Sequence, residues 1–281
     1  MTASADATLS PMPSRSPHPD PLLVGAHVPN GDPGTEAERR GANCVQVFLS
    51  NPRGWRPPRV RADADDLRAS GLPLWAHAPY LVNLASADAA VRERSAESLA
   101  ATCAAAEAIG ARGVVVHGGS VGAGGELAAG RARWRAALER LESPVPVLIE
   151  NTAGGDGSLA RDVEGMARLW EALDGVEQAL GWCFDTCHAH AAGEELGDVI
   201  ERLVAEVGAI DLIHANDSKD PFGSRRDRHE RLGEGMIGPD VLADLLRAGA
   251  APVICETPGD ADDHATDVAW ARAALAVTTT R

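Results

Sequence analysis

The sequence predicts an α/β protein that folds as a single (β/α)8 barrel, and three observations lead to this fold class. The chain has 281 residues, which suits one barrel of about 250 residues better than two separate domains. Eight short apolar runs rich in β-branched residues alternate with longer segments of helical periodicity. The apolar runs are continuous, which is typical of parallel strands that are buried on both faces.

The elements follow one another in order along the chain. The predicted strands are 22–27, 44–49, 73–77, 113–117, 146–150, 182–185, 210–214 and 252–256. The predicted helices lie between most of them, at about 88–110, 128–142, 160–173, 194–208, 238–248 and 264–276. An open doubly wound sheet is the alternative, but no GxGxxG follows the first strand and no GK[ST] phosphate loop is present. We therefore expect residues 21–281 to form one barrel domain.

Composition and charge exclude several classes of protein. With 26 Lys and Arg against 41 Asp and Glu, the formal net charge is −15, which argues against a protein that coats nucleic acid or anionic membranes. No stretch reaches the roughly 18 apolar residues of a membrane span. The five cysteines are scattered without a CxxC pair, and residues 1–20 are Pro/Ser-rich with no signal-peptide pattern. We expect a reduced, cytoplasmic protein with a disordered tail at residues 1–20.

Six of the eight predicted strands end in a residue that can bind a metal ion. The carboxyl ends of barrel strands converge on one rim, where such enzymes keep their chemistry. A buried carboxylate at the end of an apolar run is costly without a partner, and one charged partner cannot satisfy six such groups. These residues are His77, His117, Glu150, Asp185, His214 and Glu256.

Three further metal-binding residue types lie close to these strand ends. His188 follows Asp185 at i, i+3, which places both on one side of a turn or of a starting helix. Asp227 and His229 are spaced to share one face of an extended loop. Imidazole and carboxylate donors without a thiolate suit Zn, Mn or Fe. We read Cys183 and Cys187 as small buried apolar residues. Nine donors exceed one tetrahedral ion, so we expect two or three ions with shared carboxylates.

A cluster of this kind suits hydrolysis of phosphate esters. One ion lowers the pKa of a water molecule, and neighbouring ions about 3.5–4 Å apart stabilise the attacking and leaving oxygens. Four carboxylates against three dications leave a positive cluster, which favours an anionic substrate even on an acidic protein.

The chain resembles the endonuclease IV family of zinc-dependent apurinic/apyrimidinic endonucleases over residues 20–275. The most specific stretch is 216–238, which combines N-D-S-K, G-S-R-R-D-R-H and L-G-E-G. The other motifs occur in the family's order across nearly the whole chain. They are HAPYLVNLAS (77–86), VVVHGGS (114–120), VLIENTAGGDGS (147–158), CFDTCHAHAAG (183–193) and ICETP (254–258).

The resemblance implies a (β/α)8 TIM barrel that holds three zinc ions. By this analogy His77, His117 and Glu150 hold the first ion. The second is held by the bridging Glu150 together with Asp185, His214 and Glu256, and the third by His188, Asp227 and His229. Mn²⁺ or Fe²⁺ can enter some of these sites.

The resemblance also implies the reaction and its catalytic residues. The family cuts the phosphodiester 5′ to an abasic site in double-stranded DNA, leaving a 3′-hydroxyl and a 5′-deoxyribose phosphate, and it trims blocked 3′ ends. Glu256 is the counterpart of a residue that orients or deprotonates the attacking water, and it is predicted to be catalytic together with Glu150. We expect a monomer that acts on DNA.

Two groups of residues are predicted to contact DNA. Arg53, Tyr80 and Leu81 resemble the side chains that enter the base stack, although Tyr80 can also simply cap the barrel. Trp55 either stacks on a nucleotide or packs beneath its loop. A basic loop is expected to bind phosphate, because arginine recognises phosphate in a bidentate way. Its residues are Lys219, Arg225, Arg226, Arg228 and Arg231.

Some residues depart from the family's pattern, and two other functions stay open. Ala78 and Pro79 stand where polar residues are common in the family, and Gly118 replaces a usual proline, so these residues bear on substrate preference. A sugar isomerase or epimerase also uses strand-end Glu, Asp and His around a divalent ion. The additional pair Asp227 and His229 and the basic loop argue against it. A non-catalytic lesion-binding protein would keep the ligands but show no turnover.

Overall fold

A computed structural model describes residues 22–277 as a closed barrel of eight parallel strands surrounded by helices. This confirms the predicted fold class; the predicted tail at 1–20 lies outside the described residues. The barrel strands are β1 (Val24–His27), β2 (Val45–Phe48), β3 (Leu74–His77), β4 (Gly113–His117), β5 (Val147–Glu150), β6 (Leu180–Asp185), β7 (Leu212–Ala215) and β10 (Val253–Cys255). Around the barrel they follow the order β1, β10, β7, β6, β5, β4, β3 and β2.

The remaining elements lie between these strands. Six helices match the predicted ones to within a few residues, and no helix among residues 22–277 is long and apolar enough to cross a membrane. The helices are α1 (Pro33–Arg39), α2 (Ala64–Ala69), α3 (Ala89–Ala108), α4 (Leu127–Leu138), α5 (Val163–Ala172), α6 (Thr186–Ala192), α7 (Val199–Val207), α8 (Pro239–Gly249) and α9 (Ala261–Ala276). Two short strands, β8 (Asp217–Ser218) and β9 (His229–Glu230), form a separate antiparallel ribbon.

The structure differs from the sequence-based expectation at several element boundaries. Helices α1 and α2 were not predicted, because six or seven residues are too few to display a helical period. Of the turn or starting helix expected at Asp185 and His188, the structure has the helix, α6. The ribbon β8–β9 was also missed, since strands of two residues carry no alternation. Strand β7 continues one residue past His214, and Glu256 follows the end of β10. Neither shift moves a predicted metal ligand away from the rim.

Eight buried side chains, one at or next to each barrel strand, pack together inside the barrel. They form a cluster that is distinct from the larger apolar layer between the strands and the helices. Gly25 permits the close approach of β1 and β2, because a Cβ there would lie 1.8 Å from the carbonyl oxygen of Cys44. The interior side chains are those of Leu23, Cys44, Trp75, Val115, Leu148, Cys183, Leu212 and Ile254.

Aspartate side chains fix where several of the outer helices begin. Asp88 accepts hydrogen bonds from the first backbone N–H groups of α3, and Asp162 accepts one from Gly165 at the start of α5. Asp260 and Asp263 form a capping box at the start of α9. These caps set the lengths of the loops at the carboxyl rim, which is where the predicted site residues lie.

Candidate metal centre and nucleic-acid interface

Side-chain alternation along the strands explains why the predicted ligands converge. In a strand, residues i and i+2 project to the same side. Six interior residues are each followed two positions later by a predicted ligand, so these ligands also face the barrel axis, one layer nearer the rim. The pairs are Trp75 and His77, Val115 and His117, Leu148 and Glu150, Cys183 and Asp185, Leu212 and His214, and Ile254 and Glu256.

Glu150 lies at the centre of the cluster and is fully buried. Its Oε2 lies 3.1 Å from Nε2 of His77 and 3.2 Å from Nε2 of His117. Its Oε1 lies 3.0 Å from Nδ1 of His214 and 3.3 Å from Nδ1 of His188. Burial alone would raise the pKa of Glu150, but the neighbouring imidazoles outweigh it and hold that pKa well below its usual range. The carboxylate therefore stays ionised in the centre of a ring of histidines.

A second group of donors shares Glu150. Single donor atoms of Glu150, Asp185, His214 and Glu256 all lie within 4.8 Å of one another. Oε2 of Glu256 is 3.1 Å from Nδ1 of His214. Burial opposes ionisation of Glu256, but His214 and His27 lower the pKa of its carboxyl. This group also matches one of the sets expected from the sequence.

The third group lies on α6 and on the ribbon. Helix α6 begins directly after β6, and Asp185 caps it by accepting a hydrogen bond from the backbone N–H of His188 at 2.6 Å. Oδ1 of Asp227 lies 3.2 Å from Nε2 of His188 and 3.0 Å from Nε2 of His229. Burial would lower the pKa of His229, but Asp227 and Asp185 raise it to about 9. The nine predicted ligands thus fall into three neighbouring groups.

Backbone carbonyl groups orient three of these imidazoles. Nδ1 of His77 donates to the carbonyl of Ala78 at 2.7 Å, and Nδ1 of His188 donates to that of Asn151 at 2.9 Å. Nδ1 of His229 lies 3.1 Å from the carbonyl of Glu256. With Nδ1 occupied as a donor, Nε2 of each ring presents a lone pair to the cluster, which is how metal-binding histidines are usually held.

The donor set fits transition-metal ions. Nε2 of His229 is buried and makes no hydrogen bond within residues 22–277, even though Asp227 is only 3.0 Å away. Nε2 of His229 and Oδ1 of Asp227 face each other at this distance without forming a hydrogen bond, as expected of two ligand atoms that bind the same cation. Imidazole and carboxylate donors in these proportions suit Zn, Mn or Fe, and an all-oxygen site would suit Mg or Ca.

Sequence reasoning missed the amide side chains that hold the carboxylates. Nδ2 of Asn216 donates to Asp185 at 2.7 Å, and its Oδ1 accepts from the backbone N–H of Glu256 at 2.9 Å. Gln46 is fully buried and contacts both Glu256 and His214. The alternation of β2 gives the signal that was overlooked, since Gln46 stands two residues after interior Cys44, as the ligands do on their strands.

Cys187 lies closer to the cluster than the sequence suggested. Its sulfur can group with donor atoms of Asp185 and His229 within 4.8 Å. Burial raises the pKa of this thiol to about 12, so the thiolate that binds metals is disfavoured. Cys187 is buried, in agreement with its interpretation as a small apolar residue.

The predicted wedge residues lie on loops next to the cluster. The Tyr80 ring stacks on that of His117, with centroids 5.9 Å apart and an angle of 18°, yet Tyr80 remains 49% exposed. Leu81 beside it is 38% exposed, and Arg53 is exposed on the neighbouring loop. The two loops are joined by a hydrogen bond from the backbone N–H of Tyr80 to the carbonyl of Pro52. Trp55 is half-buried.

The ribbon β8–β9 presents the predicted phosphate-binding residues. Lys219, Arg225 and Arg226 are all more than 40% exposed and lie in the connection between its two strands. Arg228 is also exposed, but its guanidinium pairs with Asp220 at 2.5 Å. Arg231 differs from the expectation, since it turns inward to Asp263 and Asp267 and anchors the ribbon to α9.

Comparison with known proteins assigns this arrangement to a family. A family model described as xylose isomerase-like TIM barrel matches residues 35–278. Probable endonuclease 4 of Mycobacterium tuberculosis (strain ATCC 25177 / H37Ra) is 51% identical over 246 residues, which cover 87% of this chain and 97% of that protein. The chain belongs to the endonuclease IV family. Probable endonuclease 4 of Mycobacterium leprae (strain TN) is likewise 51% identical over the same shares of both chains.

Solved structures agree with membership in the endonuclease IV family. The crystal structure of endonuclease IV from Thermus thermophilus superposes with a TM-score of 0.78 at 33% identity, covering 90% of this chain and 98% of that one. A D-tagatose 3-epimerase-like protein superposes with a TM-score of 0.72 at only 20% identity. The second likeness shows the shared barrel and nothing about sugar chemistry.

Proposed function

We propose that this endonuclease IV family member hydrolyses the phosphodiester 5′ to abasic sites in double-stranded DNA, with three bound zinc ions. The observation that carries the proposal is the grouping of nine imidazole and carboxylate donors into three adjacent sets, two of which share the buried Glu150. The products are a 3′-hydroxyl and a 5′-deoxyribose phosphate, and the same site trims blocked 3′ ends. The five free, buried cysteines support a reducing compartment, the cytoplasm, as the place of action.

The nine proposed ligands hold three ions, and Glu150 is shared by the first ion and the second. His77, His117 and Glu150 hold the first. Glu150, Asp185, His214 and Glu256 hold the second, and His188, Asp227 and His229 hold the third, with Mn²⁺ or Fe²⁺ as possible substitutes. The third set is more open to solvent, because the side chain of Asp227 is 51% exposed. When bound, divalent ions would stabilise the negative charge that develops on the phosphate and would activate water at neutral pH.

The side chains around the scissile phosphate have distinct proposed roles. Glu256 orients or deprotonates the attacking water; because His214 and His27 keep its carboxylate ionised, it can accept a hydrogen bond from that water. Glu150 stays ionised and holds its imidazole partners in place. The protein supplies this arrangement before substrate binds, so little reorganisation is needed in the transition state.

The DNA would be held at two places on the rim. Tyr80, Leu81 and Arg53 enter the base stack at the lesion, where flipping is cheapest because the base is already missing. The basic connection of the ribbon contacts phosphates, through Lys219, Arg225, Arg226 and Arg228. We propose that the protein does this as a monomer, since every predicted ligand comes from a single chain.

A nicking assay combined with metal analysis tests the proposal. Purified full-length protein is incubated with a duplex that contains one tetrahydrofuran abasic analogue, and its zinc content is measured by elemental analysis. We expect cleavage on the 5′ side of the analogue and about three zinc ions per chain. An otherwise identical undamaged duplex is the matched control and should stay intact.

Three outcomes would contradict the proposal. Zinc content near one ion or none would remove the three-ion cluster. Tight binding of the abasic duplex without cleavage would favour the non-catalytic lesion-binding protein, and isomerisation of a sugar without nicking would favour the isomerase.

A further inference from the structure

Gln46 is a polar residue on the barrel axis to which the proposed metal site assigns no role. Its side chain is fully buried, and it occupies on β2 the inward position that ligands occupy on six other strands. Its Nε2 lies 2.7 Å from Oε1 of Glu256, and its Oε1 lies 2.9 Å from Nε2 of His214. One amide therefore joins a proposed catalytic carboxylate to a proposed metal ligand.

The contacts fix which way the amide of Gln46 faces. If the amide were reversed, its oxygen would face the carboxylate of Glu256 at 2.7 Å, and two acceptors would repel each other. In the favourable orientation the amide N–H donates to Glu256 and the amide oxygen accepts from His214. Nε2 of His214 must then carry a hydrogen, so Nδ1 is the atom of that ring that is directed at the carboxylates of Glu150 and Glu256.

His27 contacts the same carboxylate oxygen. Its Nδ1 lies 3.1 Å from Oε1 of Glu256 and 3.1 Å from Nε2 of Gln46, as expected when two donors converge on one acceptor. Phe48 packs against the His27 ring at a centroid distance of 4.5 Å and limits its movement. Oε1 of Glu256 is thus occupied on the side away from the cluster. Its Oε2 is 3.1 Å from Nδ1 of His214, on the cluster side.

We propose that Gln46 is a positioning residue of this site, acting through Glu256 and His214 with the help of His27. It holds one oxygen of Glu256 so that only the other faces the ions and the attacking water, and it keeps the ring of His214 in the orientation that binds metal through Nδ1. This inference rests on the proposed endonuclease function. Hydrogen-bond partners of metal ligands typically contribute 10- to 100-fold to metal affinity or activity.

The test replaces Gln46 by methionine in the full-length chain. Methionine has nearly the same volume but can neither donate to Glu256 nor accept from His214. We expect zinc transfer to a colorimetric chelator about 10- to 100-fold faster than in wild type, and single-turnover nicking slower by about 10- to 100-fold. Gln178→Met is the matched control, because Gln178 is also buried but its side chain donates to the carbonyls of Val145 and Ala179, at the opposite end of the barrel from the cluster.

Two further variants keep the proposal falsifiable. If Gln46→Met fails to fold, Gln46→Glu takes its place in the test. This variant retains an acceptor for His214 but replaces the donor to Glu256 by a second negative charge, so it should also release zinc faster than wild type. In a Glu256→Gln background, adding Gln46→Met should slow nicking by a smaller factor than in wild type, because the part of its effect that acts through the Glu256 carboxylate is lost and only the part through His214 remains. A purely structural role would give the same factor in both backgrounds.

The outcomes separate this inference from the proposed function. Zinc release and nicking within twofold of wild type in both Gln46 variants would overturn the role of Gln46. A wild-type protein that holds zinc but does not nick would refute the endonuclease proposal, and the ratio of zinc-release rates would still decide the role of Gln46. A wild-type protein without zinc would overturn both.

Discussion

At individual residues of the cluster, burial and neighbouring groups shift the pKa in opposite directions. Burial favours the neutral form of a carboxyl, yet the imidazoles around Glu150 and Glu256 lower the pKa of both groups. The same opposition acts on His188 and His214, where burial lowers the pKa but neighbouring groups, Asp185 at His188 among them, raise it well above its usual value. The arrangement therefore concentrates ionised carboxylates on the barrel axis, where a metal ion can be bound.

Replacing Glu256 by glutamine tests the proposed catalytic carboxylate. The variant keeps the shape of the side chain but loses the negative charge and the ability to accept a proton, so turnover should fall by about two to four orders of magnitude. Binding of abasic DNA should remain within a fewfold of wild type in a gel-shift assay. Glu206→Gln on the exposed face of α7 is the control. Unchanged single-turnover rates would remove Glu256 from catalysis.

The cysteines give a second test at the residue scale. Burial raises the pKa of Cys44, Cys183 and Cys187 to about 12 and that of Cys103 to about 11, and it raises that of Cys255 as well. A pKa above the ambient pH means few thiolates, so at pH 8 the native thiols should react with Ellman's reagent at least about 100-fold more slowly than free cysteine. In denaturant all five should react. Rapid reaction of a native thiol would contradict the burial of these side chains.

At the scale of elements, the ribbon β8–β9 depends on anchors outside itself. Its two-residue strands cannot be stable alone. Asp217 accepts hydrogen bonds from the backbone N–H groups of Gly233, Gly235 and Ile237, which fixes the segment after the ribbon. Arg231 donates to Asp267 at 2.9 Å and also pairs with Asp263 on α9. These contacts hold His229 and Asp227 against α6.

Removing the guanidinium of Arg231 should weaken the whole ribbon. Arg231→Gln leaves the buried carboxylate of Asp267 without its charged partner, so we expect the free energy of unfolding to fall by about 2–4 kcal/mol. Zinc content should fall towards two ions per chain, since the third set loses its support. Thermal unfolding and elemental analysis measure both effects. Arg140→Gln breaks an exposed pair with Glu93 and an exposed hydrogen bond to the carbonyl of Ala136, and it should change stability by less than about 1 kcal/mol. Equal effects in both variants would refute the role of Arg231 as an anchor.

At the scale of the whole molecule, the distribution of charge is compatible with the proposed binding of DNA by an acidic protein. Strands β3 and β7 lie on opposite sides of the barrel, so the loop with Tyr80 and the basic ribbon stand on opposite sides of the cluster. The net charge of −15 should repel undamaged DNA at long range. Affinity should therefore depend on the lesion, the ions and a few local phosphate contacts.

The salt dependence of DNA binding measures those phosphate contacts. Each lost phosphate contact reduces the slope of log Kd against log salt concentration by about one. We expect Arg225→Ala and Arg226→Ala each to do so for the abasic duplex. The Arg140 side chain is 64% exposed and lies just after α4, so Arg140→Ala is the control and should leave the slope unchanged. A slope unaltered by both ribbon substitutions would show that the ribbon does not contact phosphate.

Most of the fold and most of the proposed ligands could be predicted because each rests on a local pattern. Continuous apolar runs predict parallel strands, and the metal-type residues stand at or next to the ends of those runs. Gln46 and Asn216 were missed, because an amide in or after an apolar run carries no charge that demands a partner. The ion pairs of Arg231 with Asp263 and Asp267 were also missed, because these aspartates lie more than 30 residues further along the chain, on α9.

The sequence by itself determined the barrel, the family resemblance and the nine proposed metal ligands. The barrel follows from periodicity, the ligands follow from residue types at or near strand ends, and the resemblance follows from motifs that occur in the family's order; all of these are properties of short segments. Only the tertiary structure decided that Glu150 is shared by four imidazoles, that Gln46 joins Glu256 to His214, and which arginines face solvent. Such contacts join residues up to about two hundred positions apart, and the closure of the barrel alone brings them within hydrogen-bond distance.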